Sequence, residues 1–202
     1  MARIVEAADA LFAERGYDGA SVNDIVARAG CSIGTLYARF TDKESLFLHL
    51  HAHHCRLMID NIDALVHDPA MVEANLPTLV RGIIDAQYRF ADKRRAITRV
   101  FIQRSGQDAA FHAGYAAAWS EVAGRLRALL LSRRDDIGHP DPAGATAFVV
   151  QMLHASWAND VLHHGMPEIT GSPKGPRARR ELVRACLAYL KDDDRDDTGE
   201  RA

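Results

Sequence analysis

Proline, glycine, cysteine and charge of one sign are all in short supply, and each shortage excludes a class of protein. With 7 Pro and 14 Gly in 202 residues, the chain is neither collagen-like nor low-complexity. Its three cysteines, Cys31, Cys55 and Cys186, are odd in number, far apart and without a CxxC pair, so a disulfide framework is excluded and a reducing compartment fits. No apolar run approaches the ~18 residues of a membrane-spanning helix, and the start lacks the basic flank, apolar core and cleavage site of a signal peptide. A cytoplasmic protein with no membrane partner is expected. Lys and Arg number 25 against 27 Asp and Glu, a net of −2, so a polyanionic partner has to be argued from a local site. Strand-like alternation is missing, and so are GxGxxG, GxxxxGK[ST], GxSxG and HExxH strings. No enzyme, cofactor or metal is expected.

What remains is helical periodicity. The chain is 48% hydrophobic, and apolar residues recur at i, i+3, i+4 and i+7 almost throughout, which predicts an all-α protein. The first segment carries Ile4, Ala8, Leu11 and Phe12 on one face and stops at Gly16, where a left-handed cap would end a helix. Ser21 with Asp24 reads as a capping box for a short helix that Gly30 closes. Ser32 is the expected N-cap of a third helix, 33–40, with Leu36 and Phe40 inward. Thr41 with Glu44 reads as a second box opening a long helix over 43–67, about 37 Å at ~1.5 Å per residue, long enough to connect two bodies. Further helices are expected near 76–91, 93–105, 109–133, 143–164 and 177–191. The breaks between them fall at Asp68-Pro69, at 138–142 and at 165–176.

Residues 21–40 carry the most information. Two short helices joined at Gly30-Cys31 must cross steeply, as in a helix-turn-helix, with small Ala27 and Ala29 near the crossing. In that arrangement the second helix enters the major groove while the first braces against the backbone. The hydroxyls of Ser21, Ser32, Thr35 and Tyr37 and the cations Arg28, Arg39 and Lys43 suit phosphate. Ahead of Arg39 the second helix has no Arg, Lys, Asn or Gln for bidentate base contacts. Direct readout should therefore be modest, with Ile33 and the Thr35 methyl favouring thymine methyls.

The string Ile25-Val26-Ala27, Ala29-Gly30-Cys31-Ser32-Ile33-Gly34-Thr35-Leu36-Tyr37, Phe40, Lys43-Glu44 and Leu46, preceded by AADALFAERGYDGAS, resembles the TetR family of bacterial transcriptional regulators over about Ile4 to Phe47. The resemblance implies an N-terminal three-helix helix-turn-helix DNA-binding domain over 1–47, with the motif at 21–40. It further implies a C-terminal helical effector-binding and dimerisation domain over 48–191. Residues 192–202, with six acids among eleven, are expected to be a disordered acidic tail. The implied function is a ligand-responsive repressor that binds a palindromic double-stranded operator as a homodimer and is released by a small-molecule effector. The alternative is a helical ligand-binding or scaffold protein of the same fold that has lost DNA binding. Carried over by position, Ser21, Thr35, Tyr37 and Lys43 fall at phosphate-contacting positions, Ile33, Gly34 and Thr35 where bases are approached, and Arg39 where His is frequent. Two departures are visible. The basic arm common before the first helix is reduced to Met1, Ala2 and Arg3, and residues 1–50 hold five cations against seven acids.

Beyond residue 50 the pattern is less specific. Tyr88, Arg99, Phe101, Arg104, Phe111, Tyr115, Trp119, Met152 and Trp157 are candidates for an effector cavity, although an aromatic stripe at helical spacing also reads as plain core. Ala147, Gln151 and Ala155 on one helix and Leu182, Cys186 and Tyr189 on another are candidates for a four-helix dimer interface. His49, His51, His53 and Cys55 are the nearest thing to a metal cluster. Four ligands cannot converge from one straight helix, and His54 is expected to pack near Leu50 and Leu57.

Overall fold

The computed structural model describes residues 1–163 and 175–193. Among these residues the protein is all-α, with no strand. The helices are α1 (Ala2–Gly19), α2 (Val22–Ala29), α3 (Ile33–Tyr37), α4 (Lys43–Val66), α5 (Pro69–Val72), α6 (Leu76–Ser105), α7 (Ala109–Leu131), α8 (Pro142–His163) and α9 (Gly175–Lys191), with a 3₁₀ turn at Arg134–Asp136. The acidic stretch beyond Asp193 and most of the 165–176 break lie outside the described residues.

Several boundaries differ from expectation for local reasons. Gly16, at φ 73° and ψ 176°, kinks α1 so that its last turn changes direction. The box that opens α4 is Asp42 with Ser45, not Thr41 with Glu44: Ser45 N–H donates to Asp42 Oδ1 at 2.7 Å and Asp42 N–H to Ser45 Oγ at 3.2 Å. Residues 76–91 and 93–105 form one helix of 30 residues, because the charged stretch between them contains no Gly or Pro to interrupt it. The break at Asp68-Pro69 starts a helix as well as ending one, since Asp68 Oδ1 accepts the Ala70 N–H at 2.9 Å with Pro at the first helical position. The third helix is shorter than expected, continuing past Tyr37 only as turns in which Arg39 and Phe40 N–H both donate to the Leu36 carbonyl.

The chain packs into two compact units. The first comprises Met1–Met58 and Ala91–Ala118. Its core joins Ile4, Ala8, Leu11 and Phe12 of α1 to Ile25, Leu36, Leu46, Phe47 and Leu50, and to Ile97, Val100, Phe101 and Phe111. Phe47 is fully buried and lies 5.1 Å from Phe12, 4.8 Å from Tyr17, 5.3 Å from Phe101 and 5.4 Å from Phe111, centroid to centroid. Such rings contribute beyond their buried area when offset or edge-on.

The second unit comprises Ile59–Phe90 and the residues from Trp119 onward. It buries Ile62, Leu79, Ile83, Val122, Leu126, Val149, Leu153 and Trp157. Arg125 bridges Asp63 (2.6 Å) and Glu121 (2.7 Å). Arg133 Nε donates to the Ala74 carbonyl at 2.8 Å and its Nη2 to that of Val72. At the end of α9, the Leu190 carbonyl accepts N–H bonds from Gly138 (3.0 Å) and His139 (3.3 Å).

Candidate nucleic-acid interface

Local capping sets the geometry of residues 21–40. Ser21 Oγ accepts the Asp24 N–H at 3.1 Å, and the Asp24 carboxylate accepts the Ser21 N–H at 3.1 Å and its hydroxyl at 2.5 Å. These bonds hold the Asp24 carboxyl below the usual range. Gly30, in the left-handed region at φ 59° and ψ 47°, ends α2 with its N–H directed back to the Ala27 carbonyl, and Cys31 N–H returns to Val26. Ser32 then caps α3, its Oγ accepting the Thr35 N–H at 3.2 Å and lying 2.9 Å from Thr35 Oγ1. Three residues thus reverse the chain between two helices. Ala29 is buried near the crossing and Ala27 is exposed, so of the two expected small contacts only that of Ala29 is used.

The short α3 is asymmetric. Leu36 is fully buried, whereas Ser32, Ile33, Gly34, Thr35, Tyr37 and Arg39 are all exposed, with Ile33 46% and Tyr37 49% accessible. Two large apolar side chains standing in solvent beside Gly34 and two hydroxyls form a face that the first unit's own core does not use.

The basic residues around this face are mostly occupied. Arg28 pairs with Glu14 at 2.8 Å, which raises the guanidinium and lowers the carboxyl. Arg15 lies 3.6 Å from Asp24. Arg3 donates from Nη2 to the carbonyls of Ala29 and Gly30, capping the end of α2. Lys43 Nζ donates to the carbonyls of Tyr17 (3.0 Å) and Ala20 (3.3 Å) and stands 4.1 Å from the Tyr17 ring centroid. Of the five cations in residues 1–50, Arg39 alone has neither a carboxylate nor a carbonyl against it among the described residues. Its recorded partner is the Met1 thioether at 3.9 Å.

Two features of this unit carried no functional signal in the sequence. Tyr17 packs beneath Lys43 and Arg104, and burial and the neighbouring Glu44 carboxylate raise its phenol; the clue was an aromatic directly after the Gly16 turn. Asp9, Arg94, His54 and Thr98 form a polar chain, with Arg94 3.8 Å from Asp9 and its Nε donating to His54 Nδ1 at 3.3 Å. His54 Nε2 lies 3.4 Å from the Thr98 hydroxyl. His54 is thus hydrogen-bonded to α6.

The remaining candidates are dispersed. Phe101 and Phe111 stack about Phe47 in the first unit, which also holds buried Tyr115, exposed Arg99, and Arg104 between Glu44 and Asp108, 3.4 Å from each. Tyr88, Trp119, Met152 and Trp157 belong to the second unit. There Arg179 sits over Tyr88 and His154 stacks on Trp119 at 4.1 Å. On α8, Gln151 and Ala155 are exposed, Ala147 is half-buried and Phe148 is exposed but lies 5.0 Å from Tyr189. On α9, Leu182 and Tyr189 are half-buried, whereas Cys186 is fully buried, its thiol pushed up to about 11. His51 lies 3.5 Å from Cys55 and stacks on Phe111 at 3.8 Å, and His49 packs edge-on to Phe40. Among the described residues, no three His, Cys, Asp or Glu side chains are grouped to hold a metal ion. Nor is any helix there long and apolar enough to cross a membrane.

A capped two-helix turn with one outward helix defines a helix-turn-helix protein. The family model described as bacterial regulatory proteins of the tetR family matches residues 4–50, and that of the tetracyclin repressor-like C-terminal domain matches 75–190. The chain belongs to the TetR family of transcriptional regulators. It is 32% identical over 87 residues to the HTH-type transcriptional repressor AcnR of Corynebacterium efficiens, a match spanning 43% of this chain and 42% of that relative. Among solved structures, GusR of Salmonella enterica is 17% identical with a TM-score of 0.72, each chain 95% covered. FadR of Bacillus subtilis, solved with stearoyl-CoA, is 17% identical with a TM-score of 0.69, covering 95% of this chain and 98% of that one.

Proposed function

We propose that the protein is a homodimeric repressor that lays α3 in the major groove of a palindromic operator and leaves it when a small-molecule effector binds. The carrying observation is the outward face of α3, where Ile33, Gly34, Thr35 and Tyr37 are exposed while Leu36 alone anchors the helix. Ile33 and the Thr35 methyl suit thymine methyls, and Ser32, Tyr37 and Arg39 suit phosphate. Because the hydroxyl of Ser21 and the cations Arg28 and Lys43 already have partners within the protein, they would contact phosphate only by sharing or exchanging them.

Support for repression comes from AcnR, a transcriptional repressor by name, which is 32% identical over 87 residues. A second copy fits the exposed Phe148, Gln151 and Ala155 of α8 beside Tyr189 of α9, and a four-helix interface there would set recognition helices about 34–36 Å apart. FadR, a regulator of the same fold solved in complex with stearoyl-CoA, supports a small-molecule effector. The engagement of four of the five head cations favours the second reading, a ligand-binding protein that no longer grips DNA. A gel shift with the upstream intergenic fragment, repeated across salt concentrations, separates the two. A repressor gives a retarded band that weakens steeply with salt; absence of any retarded band in dilute buffer refutes operator binding. Light scattering that returns a 22.3 kDa particle at micromolar concentration refutes the dimer.

A further inference from the structure

A glycine is the loosest hinge a turn can have, because no Cβ restricts rotation on either side of its Cα. Gly30 is that residue between α2 and α3, at φ 59° and ψ 47°. The helix beyond it is five residues long and buries only Leu36, so its own packing gives little purchase against a change of angle. A second restraint reaches the hinge from α1. Arg3 precedes Ile4, which is buried in the core, and its Nη2 donates to the carbonyl oxygens of both Ala29 and Gly30. Those oxygens belong to the peptide planes on either side of the Gly30 Cα, so one guanidinium bonded to both holds φ and ψ of the glycine together. Among the described residues no backbone N–H reaches either carbonyl. The seat also requires the glycine, since a Cβ built there would lie 2.5 Å from Arg3 Nη2.

Resting on the DNA-binding reading above, we infer that Arg3 is a positioning residue for operator recognition, which clamps the Gly30 hinge, sets the angle at which α3 leaves the turn, and itself touches no phosphate. A cation at the start of the first helix invites a phosphate role, but to take it the guanidinium would have to leave two carbonyls, uncapping α2 and freeing the hinge. The two roles have different signatures. Loss of a phosphate contact weakens binding to every duplex and flattens its salt dependence. Loss of a clamp lets α3 swing, which costs contacts to base edges while sequence-independent electrostatic binding persists. A purely stabilising role alters neither once the protein is folded.

The experiment compares wild type, Arg3→Ala, Gly30→Asn and the double variant. Asparagine tolerates the left-handed region, and its Cβ displaces the arginine, so Gly30→Asn removes the clamp from the opposite side. Random-sequence duplexes of about 40 base pairs, long enough for two half-sites, are selected with wild-type protein. Fluorescence anisotropy across salt concentrations then gives each variant's affinity for a selected and an unrelated duplex, and urea unfolding gives its folded fraction. Arg3→Ala should lose about tenfold for the selected duplex, the scale of one spoiled base contact, with its salt slope and its affinity for the unrelated duplex unchanged. Gly30→Asn should behave alike, and the double variant should lose no more than the weaker-binding single one, because both remove the same interaction. Should Arg3→Ala be unfolded under binding conditions, Gly30→Asn carries the test alone. A salt slope lower by about 0.9 per half-site in Arg3→Ala makes Arg3 a phosphate ligand and overturns the inference. So do unchanged affinities for both duplexes, whether or not the urea midpoint falls, and so do additive losses in the double variant. Failure of wild type to enrich any duplex is a separate outcome, which removes the DNA-binding reading and the inference with it.

Discussion

Replacing Arg39 with alanine should flatten the salt dependence of DNA binding more than replacing any other basic residue of the first fifty. The size of the effect follows from the occupancy of the cations. Arg3 is bonded to two carbonyls, Lys43 to two carbonyls and a ring face, Arg28 to Glu14, and Arg15 lies near Asp24. A guanidinium that must first leave a carboxylate releases little net counterion, because it trades one anion for another. Among the described residues Arg39 has no such exchange to make. Each phosphate neutralised contributes about −0.9 to the slope of log K against log salt, so two Arg39 side chains in a dimer supply about −1.8. Between about 50 and 200 mM salt the wild type should then lose roughly tenfold more affinity than Arg39→Ala. Fluorescence anisotropy titrations of a labelled operator across that range measure both slopes. If Arg39→Ala retains the wild-type slope while Arg28→Ala loses about one unit per half-site, the Glu14 pair opens on DNA and the cation accounting is wrong.

Three further outcomes concern stability. His51 and His54 are buried, and burial lowers them from 6.5 to about 4 and about 3, with Arg94 also depressing His54. Below the ordinary value of 6.5 the unfolded chain binds protons that the folded one refuses, so urea midpoints should be highest near neutrality and fall toward pH 5. Each histidine should cost on the order of 1–2 kcal/mol; midpoints that stay flat or rise on acidification contradict this. Gly16→Ala places a side chain at φ 73° and ψ 176°, a region almost confined to glycine, and should cost about 1–3 kcal/mol in thermal unfolding. An unchanged Tm would mean that the kink after Arg15 relaxes. Gly138→Ala drives a methyl into the Lys191 carbonyl and strains the N–H bonds to Leu190. It should destabilise by about 1–3 kcal/mol and raise amide exchange at the end of α9; normal exchange there argues against the tie.

The parts of this protein governed by near neighbours were legible from residue order. Ser21 with Asp24, Gly30, and Ser32 with Thr35 determine their own geometry within four positions, so the turn and the outward helix could be read directly. At α4, Thr41 with Glu44 and Asp42 with Ser45 both satisfy the three-residue spacing, and the hydrogen bonds select the second pair. The continuity of α6 was hidden because a polar stretch at Asp92-Lys93-Arg94-Arg95 resembles a surface break, whereas Ile97, Val100 and Phe101 carry the buried stripe onward. The rings of Phe101 and Phe111 have the same spacing whether they line a cavity or fill a core, and only the three-dimensional contacts with Phe47 distinguish the two. The partners of Arg28 and Lys43 were illegible for the same reason: each lies 14 or more positions away.

The ring cluster about Phe47 bears on how such regulators can be recombined. Because Phe101 and Phe111 complete the packing around α1 and α4, the reading head is not a cassette ending near residue 50. A chimera that transplanted only the opening segment onto a foreign body would leave Phe47 and Leu46 facing mismatched neighbours. Engineers grafting a new operator preference, and any lineage shuffling its genes, would have to transfer residues 91–118 along with the head or redesign the seam.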